Sequence, residues 1–368
     1  MSGKIKHYYA GGNTSRGFYS LYDSNLQGLE KIFILKGGPG TGKSTLMRTI
    51  GLEWRDKGFD IEFMHCSSDN HSIDGVIIPK LKIGIVDGTA PHVIEPHAPG
   101  AIEEYVNLGA AWDADQLALK KDEICQYTSK ISSEFASAYS AFAAALRIHD
   151  DWEKIYIENM DFVKADQLGE KLLKELFGEI ALNKKADVRH RFLGAATPQG
   201  ACDFVPNLTE GLNKRYFIKG RAGTGKSTIL KKVAAQAELR GFDSEIYHCG
   251  FDPHSLDMVI VRELGIAIFD STAPHEYFPS REGDEIIDVY NAAVTPGTDE
   301  KYAEEIKNIS SNYAAKMKEG TAFLAKAKAL HDELEEIYKA AMDFSKVTEI
   351  RDEIKGKIEK LASVTSSL

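Results

Sequence analysis

The sequence predicts an α/β protein built twice: two tandem units, each a parallel sheet with flanking helices followed by a helical hairpin. Three observations carry this reading. An internal repeat runs at an offset of 183 residues, the spacing from Lys43 to Lys226. A short apolar run ending in a glycine-rich turn occurs in both halves, as a buried strand before a loop would. After about residue 114 the apolar period changes to three and four, the period of a helix.

The repeat is close to gapless at first. Gly37-Gly38-Pro39-Gly40-Thr41-Gly42-Lys43-Ser44-Thr45 recurs as Gly220-Arg221-Ala222-Gly223-Thr224-Gly225-Lys226-Ser227-Thr228. His7, Gly11, Thr14 and Gly17 align with His190, Gly194, Thr197 and Gly200 at the same offset, and His65-Cys66 aligns with His248-Cys249. The helical remainder repeats more loosely, His149-Asp150 with His331-Asp332 and Met160-Asp161-Phe162 with Met342-Asp343-Phe344. A period this long marks domain duplication, since solenoid units run ~20–50 residues. The boundary falls at the polar stretch Asn183-Lys184-Lys185-Ala186, giving units 1–186 and 187–368.

Within the first unit, Ile32–Lys36 reads as a buried strand and Lys43–Lys57 as a helix that Gly58 ends, glycine tolerating the left-handed conformation at such a stop. Ile61–His65 reads as the second strand, Ser72–Lys80 as a short helix and Lys82–Asp87 as a third strand. Alternating strands and helices imply a parallel sheet covered on both faces. Ile124, Tyr127, Ile131, Phe135, Tyr139, Phe142 and Leu146 then form the stripe of a long helix, matched by Ile306, Ile309, Tyr313, Met317 and Leu324. The hairpins occupy about 101–185 and 284–368, with Met160-Asp161-Phe162 at a helix junction.

Composition excludes several classes. A net charge of −10 speaks against general nucleic-acid binding, which rests on neutralising phosphates with Lys and Arg. No run approaches the ~20 apolar residues of a membrane span. Cys66, Cys125, Cys202 and Cys249 form no CxxC pair and no disulfide framework, which places the expected protein in a reducing, cytoplasmic setting.

The chemistry concentrates in the two glycine-rich segments. Each fits G-x-x-x-x-G-K-[ST], with an apolar strand before it and a helix after it. Glycines let successive backbone N–H groups turn inward around a polyanion, and the following helix presents free amides and its positive dipole end. The phosphate-binding set is therefore Gly37, Gly38, Gly40, Thr41, Gly42, Lys43, Ser44 and Thr45, with Gly220, Gly223, Thr224, Gly225, Lys226, Ser227 and Thr228 in the copy. These residues resemble the P-loop NTPase superfamily over roughly 30–90 and 213–273. The resemblance implies ATP or GTP as ligand, with Mg²⁺ held by Ser44 and Asp87 in one half and by Ser227 and Asp270 in the other. Gly88 and Ser271 stand where many ATPases carry a catalytic Glu, which leaves the water-activating base unassigned. Over nearly the whole chain, His-Cys-x-x-Asp-x-x-Ser-x-Asp and Asp-x-Thr-Ala-Pro-His also resemble a bacterial family of tandem P-loop ATP-binding proteins.

Those two segments supply further candidates. Asp69 and Asp252 read as general bases or metal-organising acids, or as caps on a following helix. A zinc set of His65, Cys66, Asp69 and His71 has an uncommon spacing. His92 and His275 read as γ-phosphate sensors or proton relays, or as turn histidines stiffened by Pro91 and Pro274. The expected function is a Mg²⁺-dependent ATPase acting as an internal pseudo-dimer, whose hairpins move and engage a protein partner. A nucleotide or small-molecule kinase and a nucleotide-gated binding module are the alternatives. The kinase is disfavoured because 101–185 contain only Arg147 and 284–368 only Arg351, and kinase lids commonly supply arginines.

Overall fold

The computed structural model describes residues 2–365. The first half runs β1 (Ile5–Tyr8), β2 (Gly11–Thr14), β3 (Gly17–Ser20), α1 (Tyr22–Leu26), β4 (Lys31–Lys36), α2 (Lys43–Asp56), β5 (Ile61–His65), β6 (Ile73–Ile78), β7 (Ile83–Asp87), β8 (Glu103–Asn107), α3 (Ala114–Leu119), α4 (Lys121–Ile157) and α5 (Phe162–Phe177). The second repeats it with β9 (Val188–Phe192), β10 (Gly194–Thr197), β11 (Gly200–Asp203), α6 (Val205–Leu208), β12 (Lys214–Lys219), α7 (Lys226–Leu239), β13 (Ser244–His248), β14 (Leu256–Val261), β15 (Ile266–Asp270) and β16 (Glu285–Asp288). Four helices follow: α8 (Val289–Ala293), α9 (Thr298–Lys301), α10 (Ala303–Ala340) and α11 (Phe344–Thr365).

Each half contributes a six-stranded sheet, ordered β1-β5-β6-β7-β4-β8 and β9-β13-β14-β15-β12-β16. The sheets are mixed, which corrects the parallel sheet expected above. β6 and β14 run antiparallel to both of their neighbours. They fall where Ser72–Lys80 was expected to be helical. The reason is chain length: only residues 66–72 separate β5 from β6, and a parallel crossover needs a dozen or more residues. The run Ile73–Ile78 is also buried throughout, as a central strand requires.

The hairpins are corrected too. α4 does not fold back onto its own half. It packs antiparallel against α10, with Phe142 fully buried against Leu324 and Gly320. A Cβ on Gly320 would stand 2.3 Å from the Phe142 ring, so glycine is what lets the two helices close. After the junction at residues 158–161, where Asp161 accepts the Lys164 amide, α5 enters the other half. Its Leu172, Leu176 and Phe177 join Ile218, Leu230 and Val233 in the core of the second sheet. Reciprocally, Val347, Ile354 and Ile358 of α11 pack with Phe33, Met47 and Ile50 of the first. The two halves have exchanged their last helices.

A third core cluster draws on both sheets, Tyr8, Ile34, Met64 and Val86 from one and Phe217, Tyr247, Met258 and Phe269 from the other. The repeat acts here as a twofold axis within one chain. Tyr9 and Phe192, equivalent in the repeat, exchange backbone hydrogen bonds of 3.0 and 2.9 Å, and the equivalent Asn13 and Ala196 pair in a small sheet ordered β11-β10-β2-β3. Self-complementary pairing of this kind is what an isologous dimer interface would show. The symmetry breaks at Tyr8, whose counterpart is Arg191. That guanidinium lies 4.1 Å from the Tyr8 ring centre, 2.9 Å from Glu62 and 3.8 Å from Glu245, with Lys6 3.0 and 2.9 Å from the same two carboxylates. Burial alone would raise the Glu62 carboxyl, but Arg191 and Lys6 override it and hold it at about 2.

Among the described residues no helix is long and apolar enough to cross a membrane. The four cysteines are free.

Candidate functional site

Both glycine-rich loops leave the end of a central strand and enter a helix. Gly42 and Gly225 precede α2 and α7 with φ of 85° and 84°, a conformation that favours glycine and starts each helix at the lysine. Lys43 Nζ donates to the Gly37 and Gly38 carbonyls at 2.8 and 2.9 Å, and Lys226 Nζ donates to the Arg221 carbonyl at 2.7 Å. The register Leu35↔Asp87 between β4 and β7 sets the carboxylate beside the loop. Lys43 lies 3.6 Å from Asp87, and Lys226 lies 3.6 Å from Asp270. One oxygen of each aspartate accepts the amide and hydroxyl of Thr89 or Thr272. Ser44 Oγ accepts the Ile73 amide at 3.0 Å and Ser227 Oγ the Leu256 amide at 2.9 Å.

Asp69 and Asp252 cap turns that lead into strands. Asp69 accepts the His71 amide at 2.9 Å and the Ser72 hydroxyl at 3.1 Å, with Lys328 3.4 Å away. Burial works to raise its carboxyl, but the His71 amide, Lys328 and Ser72 hold it below the ordinary value. Asp252 accepts Arg16 Nε at 3.0 Å. Both cations come from the opposite half, Lys328 from α10 and Arg16 from the β2–β3 turn. The zinc set does not converge. His65 hydrogen-bonds His7 at 2.8 Å, and burial with the neighbouring His7 and Arg48 charges lowers it to about 3. The Cys66 thiol faces Asp74 and is pushed up by burial.

His92 and His275 sit behind the Asp87 and Asp270 strand ends, against Asp74 and Asp257 of the antiparallel strands. His92 is only 6% exposed, with Nε2 3.3 Å from Asp74. Burial alone would lower it, but the Asp74 carboxylate, with Asp87 beyond, raises it to about 9. In the second half His275 Nδ1 donates to Asp203 at 2.9 Å and keeps only a 4.0 Å approach to Asp257. Burial pushes the Asp257 carboxyl to about 6, and its Oδ2 has no hydrogen-bond partner. The first half has Ser20 at the position of Asp203, so the two sites have diverged.

A folded-state value above the unfolded one means that the His92–Asp74 pair stabilises fully below about 6.5 and is lost as pH rises through about 9. Stability should therefore fall by on the order of 1–3 kcal/mol between pH 7 and 10 through this pair. In Asp74→Asn, thermal melts across that range should show a shallower decline; a decline as steep as wild type would remove the pair as its cause.

The exchanged architecture brings one more set of residues to the loops. The C-terminal part of α4 lies on the second loop, where a Cβ on Gly223 would meet the Glu153 carbonyl at 2.7 Å. α10 lies on the first in the same way, with Gly40 against the Glu335 carbonyl at 2.9 Å. Glu153 and Glu335 are repeat-equivalent, as are His149 and His331, each imidazole within 3.6 or 3.5 Å of its glutamate. The repeat His149-Asp150/His331-Asp332 was visible in the sequence, but nothing there assigned it to the opposite loop. Cavities of about 480 and 390 Å³ lie elsewhere, along α10 at Glu305 and Asn308 and beside His190 and His248.

Protein-family models, curated proteins and solved structures were all compared with the chain, and none matches it.

Proposed function

We propose that this chain is an ATP-binding P-loop NTPase with one nucleotide site at each glycine-rich loop, using Mg²⁺-dependent hydrolysis to move the paired helices α4 and α10. The observation that carries the reading is the twin arrangement of strand, loop and helix, with Lys43 and Lys226 each 3.6 Å from a strand-end aspartate. A helix N-terminus with free amides and an adjacent lysine suits a polyphosphate. The donor set suits a hard cation, since Ser44 and Asp87, or Ser227 and Asp270, offer hydroxyl and carboxylate oxygens. Mg²⁺ bound there would neutralise phosphate charge. Asp69, Asp252, His92 and His275 line the surroundings as charge-setting groups.

The helices provide the route to movement. At 37 and 38 residues, α4 and α10 are each about 55 Å long at ~1.5 Å per residue, and each ends on the opposite half's loop. Ligand at either loop would therefore act on both helices, and a protein partner reading their exposed faces would sense it. The free thiols accord with a reducing, cytoplasmic setting.

Calorimetry with a slowly hydrolysed ATP analogue and Mg²⁺ should give a stoichiometry near two. Product analysis with ATP should show free phosphate. A phosphorylated acceptor would favour the kinase, and binding without products would favour the gated module. Absence of any binding would sink the proposal.

A further inference from the structure

We propose that Glu153, carried by α4 of the first half, is the carboxylate that activates water at the second half's loop. This rests on the nucleotide reading above and supplies the base that Gly88 and Ser271 leave vacant. Three observations carry it. Glu153 packs directly on Gly223, where an added Cβ would stand 2.7 Å from the Glu153 carbonyl oxygen and 2.9 Å from the Glu153 Cβ that carries the carboxylate. Gly223 belongs to the loop that would cradle the polyphosphate, so α4 carries the Glu153 side chain to that loop. His149 Nδ1 lies 3.6 Å from the same carboxylate, with Lys226, Asp252 and Asp270 all close enough to act on the pair electrostatically. Burial, then Asp150, raises the Glu153 carboxyl towards the range useful to a general base.

Asp252 is a weaker choice for the role, since it is neutralised by Arg16 and accepts turn hydrogen bonds. The equivalent Glu335 at the first loop is weaker again. Lys339 holds it at 3.1 Å, and the α4 position matching Lys339 is Ile157. The two sites thus differ: both loops keep the phosphate-binding residues, and Glu335 is paired with a lysine of its own helix where Glu153 is not.

In the step itself, the Glu153 carboxylate takes one proton from water as the water oxygen attacks the γ-phosphorus. The bond from that phosphorus to the β–γ bridging oxygen breaks, and its electron pair leaves with ADP. Orthophosphate carries the new P–O bond, and the proton passes from Glu153 to solvent.

The test uses the full chain with Glu153→Gln and, in parallel, Glu335→Gln. Phosphate release is measured at saturating ATP and Mg²⁺, and binding by calorimetry with the slowly hydrolysed analogue. Glu153→Gln should lower turnover by about 10²–10⁴-fold, the range of general acid–base catalysis, with binding stoichiometry retained. Glu335→Gln should stay within a few-fold of wild type. Near wild-type turnover in Glu153→Gln with binding intact would overturn the inference alone. Loss of binding together with turnover would make Glu153 a binding residue and overturn it as well. Equal losses in both variants would overturn the asymmetry. A wild-type chain that binds no nucleotide would overturn the proposed function and this role with it. Gln keeps the size of these partly exposed side chains, and a thermal melt of each variant excludes a folding defect as the source of any loss.

Discussion

Lys43→Ala and Lys226→Ala should each weaken ATP binding at their own loop by about 10–150-fold, the equivalent of ~1.5–3 kcal/mol for a charge-assisted phosphate contact. Each ammonium is tethered at the loop by its carbonyls and lies 3.6 Å from the strand-end aspartate, so it is already placed where anionic oxygens would enter. Alanine removes the cation and leaves Asp87 or Asp270 beside the site, adding repulsion to the lost attraction. The glycines at φ 85° and 84° still set the turn, so the fold should tolerate the change. Calorimetry should show one tight and one weakened site in each single variant. Unchanged affinities in both would remove the phosphate-site assignment from these loops.

Arg191→Met should cost the fold about 3–5 kcal/mol, as breaking a buried ion pair by removing one partner usually does. Arg191 is 5% exposed and stands between Glu62 and Glu245 at the contact of the two sheets. Without it two buried carboxylates face each other, with the partly exposed Lys6 as their shared cation and Arg262 2.7 Å from Glu245 alone. The pH dependence follows from the Glu62 value. In wild type the folded-state carboxyl, at about 2, lies below its unfolded value of ~4.3, so its stabilisation is present above the unfolded value and lost as pH falls towards 2. In the variant, burial and Glu245 push Glu62 upward, so the folded protein takes up a proton more readily. The stability gap to wild type should therefore narrow from pH 7 to pH 5. Denaturant unfolding at both values measures this, and Glu62→Gln added to Arg191→Met should recover part of the loss. A cost below about 1 kcal/mol would show that the cluster is not what joins the halves.

Much of this molecule was legible in residue order. The duplication follows from a repeat offset of 183 residues, and the strand–loop–helix unit around Lys43 and Lys226 and the strand ending at Asp87 follow from local apolar patterning, which depends on nearby residues only. The helical reading of Ser72–Lys80 failed because its apolar run fits either period, and the short connection after His65 should have decided for an antiparallel strand. The pairing of His92 with Asp74 was out of reach, since the two residues meet only when β6 lies beside β7.

The exchange of helices was decided by tertiary structure. A stripe such as Ile131, Phe135, Tyr139 and Phe142 says that a face will be covered, without saying by what. The signal that was present is length. No glycine or proline interrupts the chain from Lys121 to Ile157, so α4 delivers its end about 55 Å from its start. The 16 residues of α5 reach only ~24 Å and cannot return, so they pack on the sheet they find there. Which half Glu153 serves is thus a matter of where a long helix stops, and local sequence patterning carries no information about that distance.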